Sequence, residues 1–212
     1  MIDAGGTGRA GKIAPFWIQT FTGRAFDLSN PLPEMVDAED IAHALSMLCR
    51  YTGHCAWFYS VAQHSILVSE IVAATAPELG LAALLHDADE AYTNDWSSPM
   101  KALMRYYSGD GGAFDGPMQA PLVTAEKIGN CIRRRFRFAV TDGERRLIKH
   151  ADLTALATEK RDLFGPAPQE GWGDATGFTI PEPLDSRIQC IPDPAYWKAR
   201  FLERFRALGG QP

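Results

Sequence analysis

Cysteine is scarce in this 212-residue chain, and its four copies are scattered. They form no Cys-x-x-Cys pair and no dense framework, which argues against a zinc ribbon and against a disulfide scaffold. Long apolar runs are also missing, since no window approaches the roughly 20 residues that span a bilayer. The first 15 residues lack the apolar core of a signal peptide. We therefore expect a cytoplasmic protein with reduced thiols and no membrane partner.

A basic excess is absent too, because the formal net charge is -5. This balance argues against a dedicated nucleic-acid binder. One local cluster is basic despite the negative total charge. It consists of Arg133, Arg134, Arg135, Arg137, Arg145 and Arg146. A solvated helix surface is the favoured interpretation of the cluster, a subunit interface comes next, and nucleic-acid contact comes last.

Internal repeats and a series of strand-like segments are lacking, whereas helical periodicity is widespread. The patterns predict seven helices. Six of them cover about residues 38–50, 60–75, 81–92, 120–138, 142–163 and 195–208, and one begins at residues 97–99. The aromatic and β-branched residues at 17–26 predict a short hairpin. We therefore expect an all-α fold, with a flexible lead at 1–16, a single domain at 17–212, and flexible loops at 108–117 and 166–194.

The run of residues 84–95 concentrates ionisable groups at the end of an apolar helix. Removing a charge from water costs several kcal/mol unless a partner or a metal compensates it. If the helix is continuous, His86 and Glu90 share a face at i and i+4, with Asp87 about 100° away. Asp89 is expected to face solvent. The run therefore predicts a site with the His86-Asp87 pair at its centre.

Two further polar residues fall on apolar helix faces, His64 and Asp152. Either one alone is more often a hydrogen-bonded core histidine, or a capping or ion-paired aspartate. Taken together, two imidazoles and two carboxylates on three packed helices suit a first-row divalent metal with open coordination positions.

The order His64, His86-Asp87, Asp152 is similar to the H…HD…D signature of HD-domain metal-dependent phosphohydrolases. Five segments extend the match, and they are Trp17-Ile-Gln-Thr, Asp40-Ile-Ala-His-Ala-Leu, Tyr59-Ser-Val-Ala-Gln-His-Ser, His86-Asp-Ala-x-Glu-Ala-Tyr and Ser98-Pro-x-Lys. Over about residues 17–160 the chain resembles the phage and bacterial branch that includes dATP triphosphohydrolases and lies near the 5'-deoxynucleotidases.

The resemblance implies an HD fold in which His64, His86, Asp87 and Asp152 ligate one divalent ion, with a further ion accompanying the substrate phosphates. Zinc, cobalt, manganese and magnesium all remain candidates. It also implies that Glu90 and Asp95 position or activate the attacking water, since such chemistry needs a proton acceptor beside the metal. The implied phosphate-binding residues are Arg50, Lys101 and Lys149. The implied nucleobase site lies near Pro99 and residues 41–51.

The expected reaction is hydrolysis of dATP to deoxyadenosine and triphosphate by attack of a metal-activated water on the α-phosphorus. The resemblance also implies a homo-oligomer, with a hexamer as the expected form. A 5'-deoxynucleotidase is the alternative enzyme, although Tyr51 replaces the tryptophan that many deoxynucleotidases carry after the arginine. A non-catalytic metal-binding and nucleotide-binding HD module is the alternative of another class, and it would be expected to lack Glu90 and Asp95. We interpret His43, His54 and His150 as structural.

Overall fold

The computed structural model describes residues 16–107, 120–166 and 179–211. Its helices are α1 Ala38–Met47, α2 Val61–Ala73, α3 Gly80–Leu84, α4 Glu90–Thr93, α5 Ser98–Tyr107, α6 Ala120–Arg135, α7 Asp142–Leu163 and α8 Pro194–Ala207. Short 3-10 helices occupy Pro33–Met35, Arg50–Gly53 and Pro77–Leu79. Strands β1 Trp17–Gln19 and β2 Ala25–Asp27 pair antiparallel, with Ile18 opposite Phe26. The predicted all-α fold and N-terminal hairpin are confirmed.

Helix starts follow local signals in the sequence. The Asp37 carboxylate caps α1 by accepting from the Glu39 backbone N–H at 2.8 Å. Ser60 and Gln63 form a reciprocal capping box at the start of α2. Thr141 caps α7 in the same way. Each cap satisfies backbone donors that a helix start leaves unpaired.

Helix α2 lies at the centre of the fold and packs against α1, α3, α7 and α8. One apolar cluster joins the hairpin, α1 and α8 through residues such as Phe26, Leu45 and Phe201. A second cluster places Val68 of α2 against Ile148 of α7. Within the described ranges no helix is long and apolar enough to cross a membrane. The central position of α2 explains how it can carry a fully buried histidine.

The prediction of one continuous helix over residues 81–92 was wrong. Helix α3 ends at Leu84 and α4 begins at Glu90, with tight turns between them. Backbone N–H groups there bond three residues back, as from Ala88 to Leu85 at 3.2 Å and from Glu90 to Asp87 at 3.1 Å. Such turns rotate the chain faster than an α-helix. The i, i+4 argument for His86 and Glu90 therefore does not apply.

Other boundaries also moved. Helix α1 ends at Met47, so Arg50 lies in the following turn rather than in the helix, and α6 ends at Arg135 rather than at 138. The lead at 1–15, the loop at 108–117 and residues 167–178 lie outside the described residues. Residues 179–193 contain no helix or strand, as their proline content predicted. The assignment of residues 17–212 to one domain stays a prediction.

Side chains at the C-terminal end of α7 hold the segment 179–193, and several of their contacts use the carboxylate of Asp162. Asp162 accepts from Nη1 of Arg187 at 2.5 Å and from the backbone N–H of Ile188 at 2.9 Å. Arg161 donates to the same carboxylate and to the carbonyl of Ser186. The hydrogen bond from Arg161 is the main reason that the pKa of Asp162 lies below its ordinary value.

We expect Asp162→Ala to lower the free energy of unfolding at neutral pH by about 1–3 kcal/mol, because Arg161 and the backbone N–H of Ile188 lose a charged acceptor. A depressed carboxyl pKa stabilises the fold above the unfolded value of about 3.9 and stops doing so as pH falls below it. The difference between wild type and variant should therefore shrink in urea titrations below about pH 4. The exposed Glu182→Ala in the same segment is the control. A difference that is constant from pH 7 to pH 3 would contradict the assignment.

Candidate metal centre

His64 projects from the buried face of α2 and is fully inaccessible to solvent. Its Nδ1 lies 2.7 Å from Oε1 of Glu159. Its Nε2 lies 3.2 Å from Oδ1 of Asp152 and 3.6 Å from Oδ2 of Asp87. Glu159 therefore fixes the ring through Nδ1, while Nε2 faces the carboxylates of Asp152 and Asp87.

His86 and Asp87 lie in the turns between α3 and α4. Nδ1 of His86 donates to the carbonyl of Ala83 at 2.8 Å, which turns Nε2 toward Oδ2 of Asp87 at 3.1 Å. The ligand atoms of His64, His86 and Asp87 all lie within 4.8 Å of one another. The interrupted helix thus places adjacent residues on one side of the chain, facing His64.

The histidine nitrogens that face the group are suited to a metal. Nε2 of both His64 and His86 is buried and lies 3.1–3.2 Å from a carboxylate oxygen, but neither atom makes a hydrogen bond of normal geometry within the described residues. Each ring donates through Nδ1 to an oxygen, the arrangement that orients a ligating imidazole and leaves Nε2 to the metal. The donor set therefore fits a divalent cation, and three of the four predicted ligands converge.

Asp152, the fourth predicted ligand, adjoins this group but is not one of its three mutually close members. Its Oδ1 contacts His64, while Lys149 donates to Oδ2 at 2.6 Å. Burial raises the pKa of Asp152, but contact with His64 and the charges of His86 and Lys149 hold it well below its ordinary value. The carboxylate is therefore in the ionised form that metal binding needs.

The surroundings of His64 favour a positive charge at this position. Burial and the charge of Arg50 lower the pKa of His64. Glu159 and Asp152 outweigh both effects and raise the pKa above its ordinary value, to about 9. A metal ion must displace that proton, because only neutral imidazole ligates. Proton and metal therefore compete for the same place.

Glu159 of α7 is the main residue that the sequence analysis missed. Its fully buried carboxylate accepts from His64 Nδ1, from Arg50 Nε at 3.1 Å, and from the hydroxyls of Tyr59 at 3.1 Å and Tyr51. It lies seven residues after Asp152, on the same helix face. That spacing along the apolar stripe of α7 is the signal that would have identified it.

Arg50 reaches the metal group from a turn with an unusual backbone. Tyr51 and Thr52 adopt positive φ angles of 58° and 55°, and Gly53 follows at 80°. Positive φ is rare for a β-branched residue and indicates a conformation that the surrounding structure enforces. The turn places Nη1 of Arg50 4.0 Å from Oδ2 of Asp87.

A second group of charged side chains consists of Glu90, Asp95 and Lys101. Glu90 and Lys101 also interact with Asp87. Glu90 is 4% exposed, its Oε1 lies 3.3 Å from Nζ of Lys101, and its Oε2 is buried without a partner among the described residues. Burial and the charges of Asp87 and Asp95 raise the pKa of Glu90 well above its ordinary value. Asp95 is half-buried and follows Asn94, whose φ is 76°.

The predicted nucleobase site near residues 41–51 was wrong in one part. Ile41 and Leu45 are fully buried in the hydrophobic core, so their side chains cannot line an open site. Pro99 is exposed in the first turn of α5. Of the histidines interpreted as structural, His43 stacks on Phe21 at 3.8 Å between ring centroids, while His54 and His150 are exposed.

A cavity of about 200 Å³ borders the metal group on the side of α6 and α7. His86, Asp89 and Asp152 contribute to its wall. Asp89 is half-buried rather than facing solvent, and burial together with Asp87 raises its pKa to about 6. Candidate metal ligands therefore share this cavity with side chains of α6 and α7.

Comparison with known proteins finds two relatives. The chain is 34% identical over 195 residues to uncharacterized protein YfdR of Escherichia coli K12, covering 91% of this chain and 95% of that protein. It is 44% identical over 94 residues to an uncharacterized protein of Rhodobacter capsulatus, covering 42% of this chain and 48% of the relative. No family model matches the chain.

Proposed function

The chain belongs to the protein family of Escherichia coli YfdR, and we propose that it is an HD-type metal-dependent phosphohydrolase of deoxynucleotides. The observation that carries the proposal is the pair of buried Nε2 atoms, on His64 and His86, that face Asp87 without hydrogen-bond partners among the described residues. Burying two such nitrogens is costly unless a ligand satisfies them. A divalent ion does so with the chemistry of these donors.

Each residue around the group then has a distinct task. A bound divalent ion lowers the pKa of a water and polarises a phosphoryl oxygen. Glu90 accepts the proton of the attacking water at Oε2, and Lys101 holds the other carboxylate oxygen. Glu159 orients His64. Arg50 and Lys101 bring positive charge to the substrate phosphates, with Asp95 near both.

The favoured substrate is dATP, with deoxyadenosine and triphosphate as products, on the strength of the sequence resemblance. The competing enzyme is a 5'-deoxynucleotidase. Tyr51 follows Arg50 in the sequence, and its hydroxyl donates a hydrogen bond to Glu159. This side chain therefore helps to position the carboxylate that orients His64. The homo-oligomer, the cytoplasmic location and the identity of the metal stay predictions.

The test is a product assay on the purified chain. Each deoxynucleoside triphosphate and monophosphate is incubated with cobalt, manganese or magnesium, and nucleosides and phosphates are separated by chromatography. Deoxyadenosine and triphosphate from dATP support the specific proposal. Orthophosphate from monophosphates alone indicates the nucleotidase, and no turnover by a metal-loaded chain indicates a non-catalytic binding module.

We expect Glu90→Gln to keep its metal and to lose about 10²–10⁴-fold in kcat, because the amide cannot accept the proton of water. Metal content is measured by mass spectrometry after dialysis, and kcat by release of nucleoside. Glu78→Gln, at an exposed position next to α3, is the matched control and should retain full activity. Unchanged kcat in Glu90→Gln would remove Glu90 from the mechanism.

A further inference from the structure

The six arginines of the basic cluster do not form one surface. Arg134, Arg137 and Arg146 are exposed. Arg135 donates from Nε to the carbonyl of Val36 at 3.2 Å. The remaining two, Arg133 of α6 and Arg145 of α7, line the 200 Å³ cavity that borders the metal group. The fold therefore separates these two arginines from the other four.

The cations of α7 are aligned with a predicted metal ligand. Arg145, Lys149 and Asp152 are spaced i, i+4 and i+7, which places them along one helix face over about 10 Å. Their side chains are 55%, 46% and 20% exposed, in that order. The row thus runs from the mouth of the cavity inward to the metal group.

Arg133 faces this row from α6. It is half-buried, and its Nη2 donates to the amide oxygen of Asn130 at 2.9 Å. Among the described residues its guanidinium contacts no carboxylate in an ion pair. Within the part of the chain that the structure describes, the Arg145 side chain has one ion pair, with Asp142 at 3.7 Å, in which both side chains are more than half exposed. Exposed pairs of this kind are weak, so both arginines can bind an incoming anion at little cost.

The charges of the cavity wall are slightly in favour of an anion. Among the described lining residues, Arg133, Arg145 and Lys149 are opposed by the carboxylates of Asp89 and Asp152. A divalent ion at the metal group would add two further positive charges. Apolar side chains including Leu85, Phe138 and Ile148 complete the wall.

We infer that this cavity binds the distal phosphates of a polyphosphate substrate, and that Arg133 and Arg145 make the protein prefer triphosphates to monophosphates. A single phosphate at the metal group would be too short to reach Arg145 at the far end of the row, whereas a triphosphate extends along it. Guanidinium groups suit this task because they bind phosphate oxygens in pairs. The inference rests on the proposed function and specifies the substrate class of the same site.

The first experiment measures binding without turnover. Inorganic triphosphate and orthophosphate are titrated calorimetrically into the metal-loaded wild type and into Arg133→Gln, Arg145→Gln and the double variant. We expect each single change to weaken triphosphate binding by about tenfold or more, with little effect on orthophosphate. Arg134→Gln and Arg146→Gln, each next in sequence to one of the two arginines, are matched controls and should bind both anions as wild type does.

The second experiment measures kcat/KM for dATP, dGTP and dAMP in the same variants, with thermal midpoints as a check on folding. Selective loss on both triphosphates supports the inference. Equal losses for triphosphate and monophosphate, or equal losses in the controls, would overturn it. A changed preference between dATP and dGTP at unchanged triphosphate binding would also overturn it, because the cavity would then hold the nucleobase. If no nucleotide is hydrolysed but triphosphate binding still depends on both arginines, the proposed function fails and the binding site remains.

Discussion

Asp87→Asn is expected to lose bound metal and to lower kcat/KM by more than about 100-fold, beyond the effect typical of residues that only support a ligand. Oδ2 of Asp87 lies 3.1 Å from Nε2 of His86 and 3.6 Å from Nε2 of His64. Asparagine keeps the shape but removes the negative charge that attracts a cation. Metal content after dialysis and the rate of dATP hydrolysis measure the two effects separately.

The matched control is Asp185→Asn, at an exposed position of the segment 179–193. It should keep both metal and activity. A parallel pair compares His86→Ala, which removes a facing Nε2, with His150→Ala at an exposed position of α7. Full metal content in both Asp87→Asn and His86→Ala would refute the site, whatever their activity.

Glu159→Ala is expected to cost about 3–5 kcal/mol of folding free energy, the range for breaking a buried ion pair by removing one partner. Arg50 would remain buried at 8% exposure with its charge unpaired on that side, and Nδ1 of His64 would lose its acceptor. The free energy of unfolding is measured by urea titration. Glu203→Ala on α8, at a side chain 66% exposed, is the control and should stay within about 0.5 kcal/mol of wild type.

A double variant separates the charge effect from simple loss of packing. Arg50→Met combined with Glu159→Leu should recover the part of the lost stability that comes from the unpaired Arg50 charge, since replacing both members of a buried pair by apolar residues is often neutral. The rest is not recovered, because the buried donors of His64 and Tyr59 still lack their acceptor. The same double variant should still bind metal about 10–100-fold more weakly, because His64 loses the partner that orients it. A cost below about 1 kcal/mol for Glu159→Ala would show that the ion pair is unimportant to the fold.

Local chemistry explains why much of the fold was predictable. The caps at Asp37, Ser60 and Thr141 act within three residues, so the sequence shows them directly. Helical periodicity likewise predicted α2 and α7, because their buried faces repeat at the helix period over several turns. The break between α3 and α4 was not predictable in this way. In these turns His86 and Asp87 lie beside His64, which is distant in sequence.

The candidate site likewise has some features that depend on local sequence and others that depend on contacts between distant residues. Residue type and order, together with the resemblance to HD-domain phosphohydrolases, singled out His64, His86 and Asp87 as candidate metal ligands. The role of Glu159 depends on Arg50, which lies 109 residues earlier in the chain. The separation of Arg133 and Arg145 from their neighbouring arginines depends on how α6 and α7 approach α3.

By itself, the sequence determined the helical class, the helix caps and which side chains offer metal-binding chemistry, because propensity, periodicity and donor type are local properties. Only the tertiary structure decided that the His86-Asp87 pair lies in tight turns, that Glu159 supports His64, and that two arginines line the cavity beside the metal group. These features depend on packing between helices far apart in the chain, where the energy of burying charges outweighs local preference.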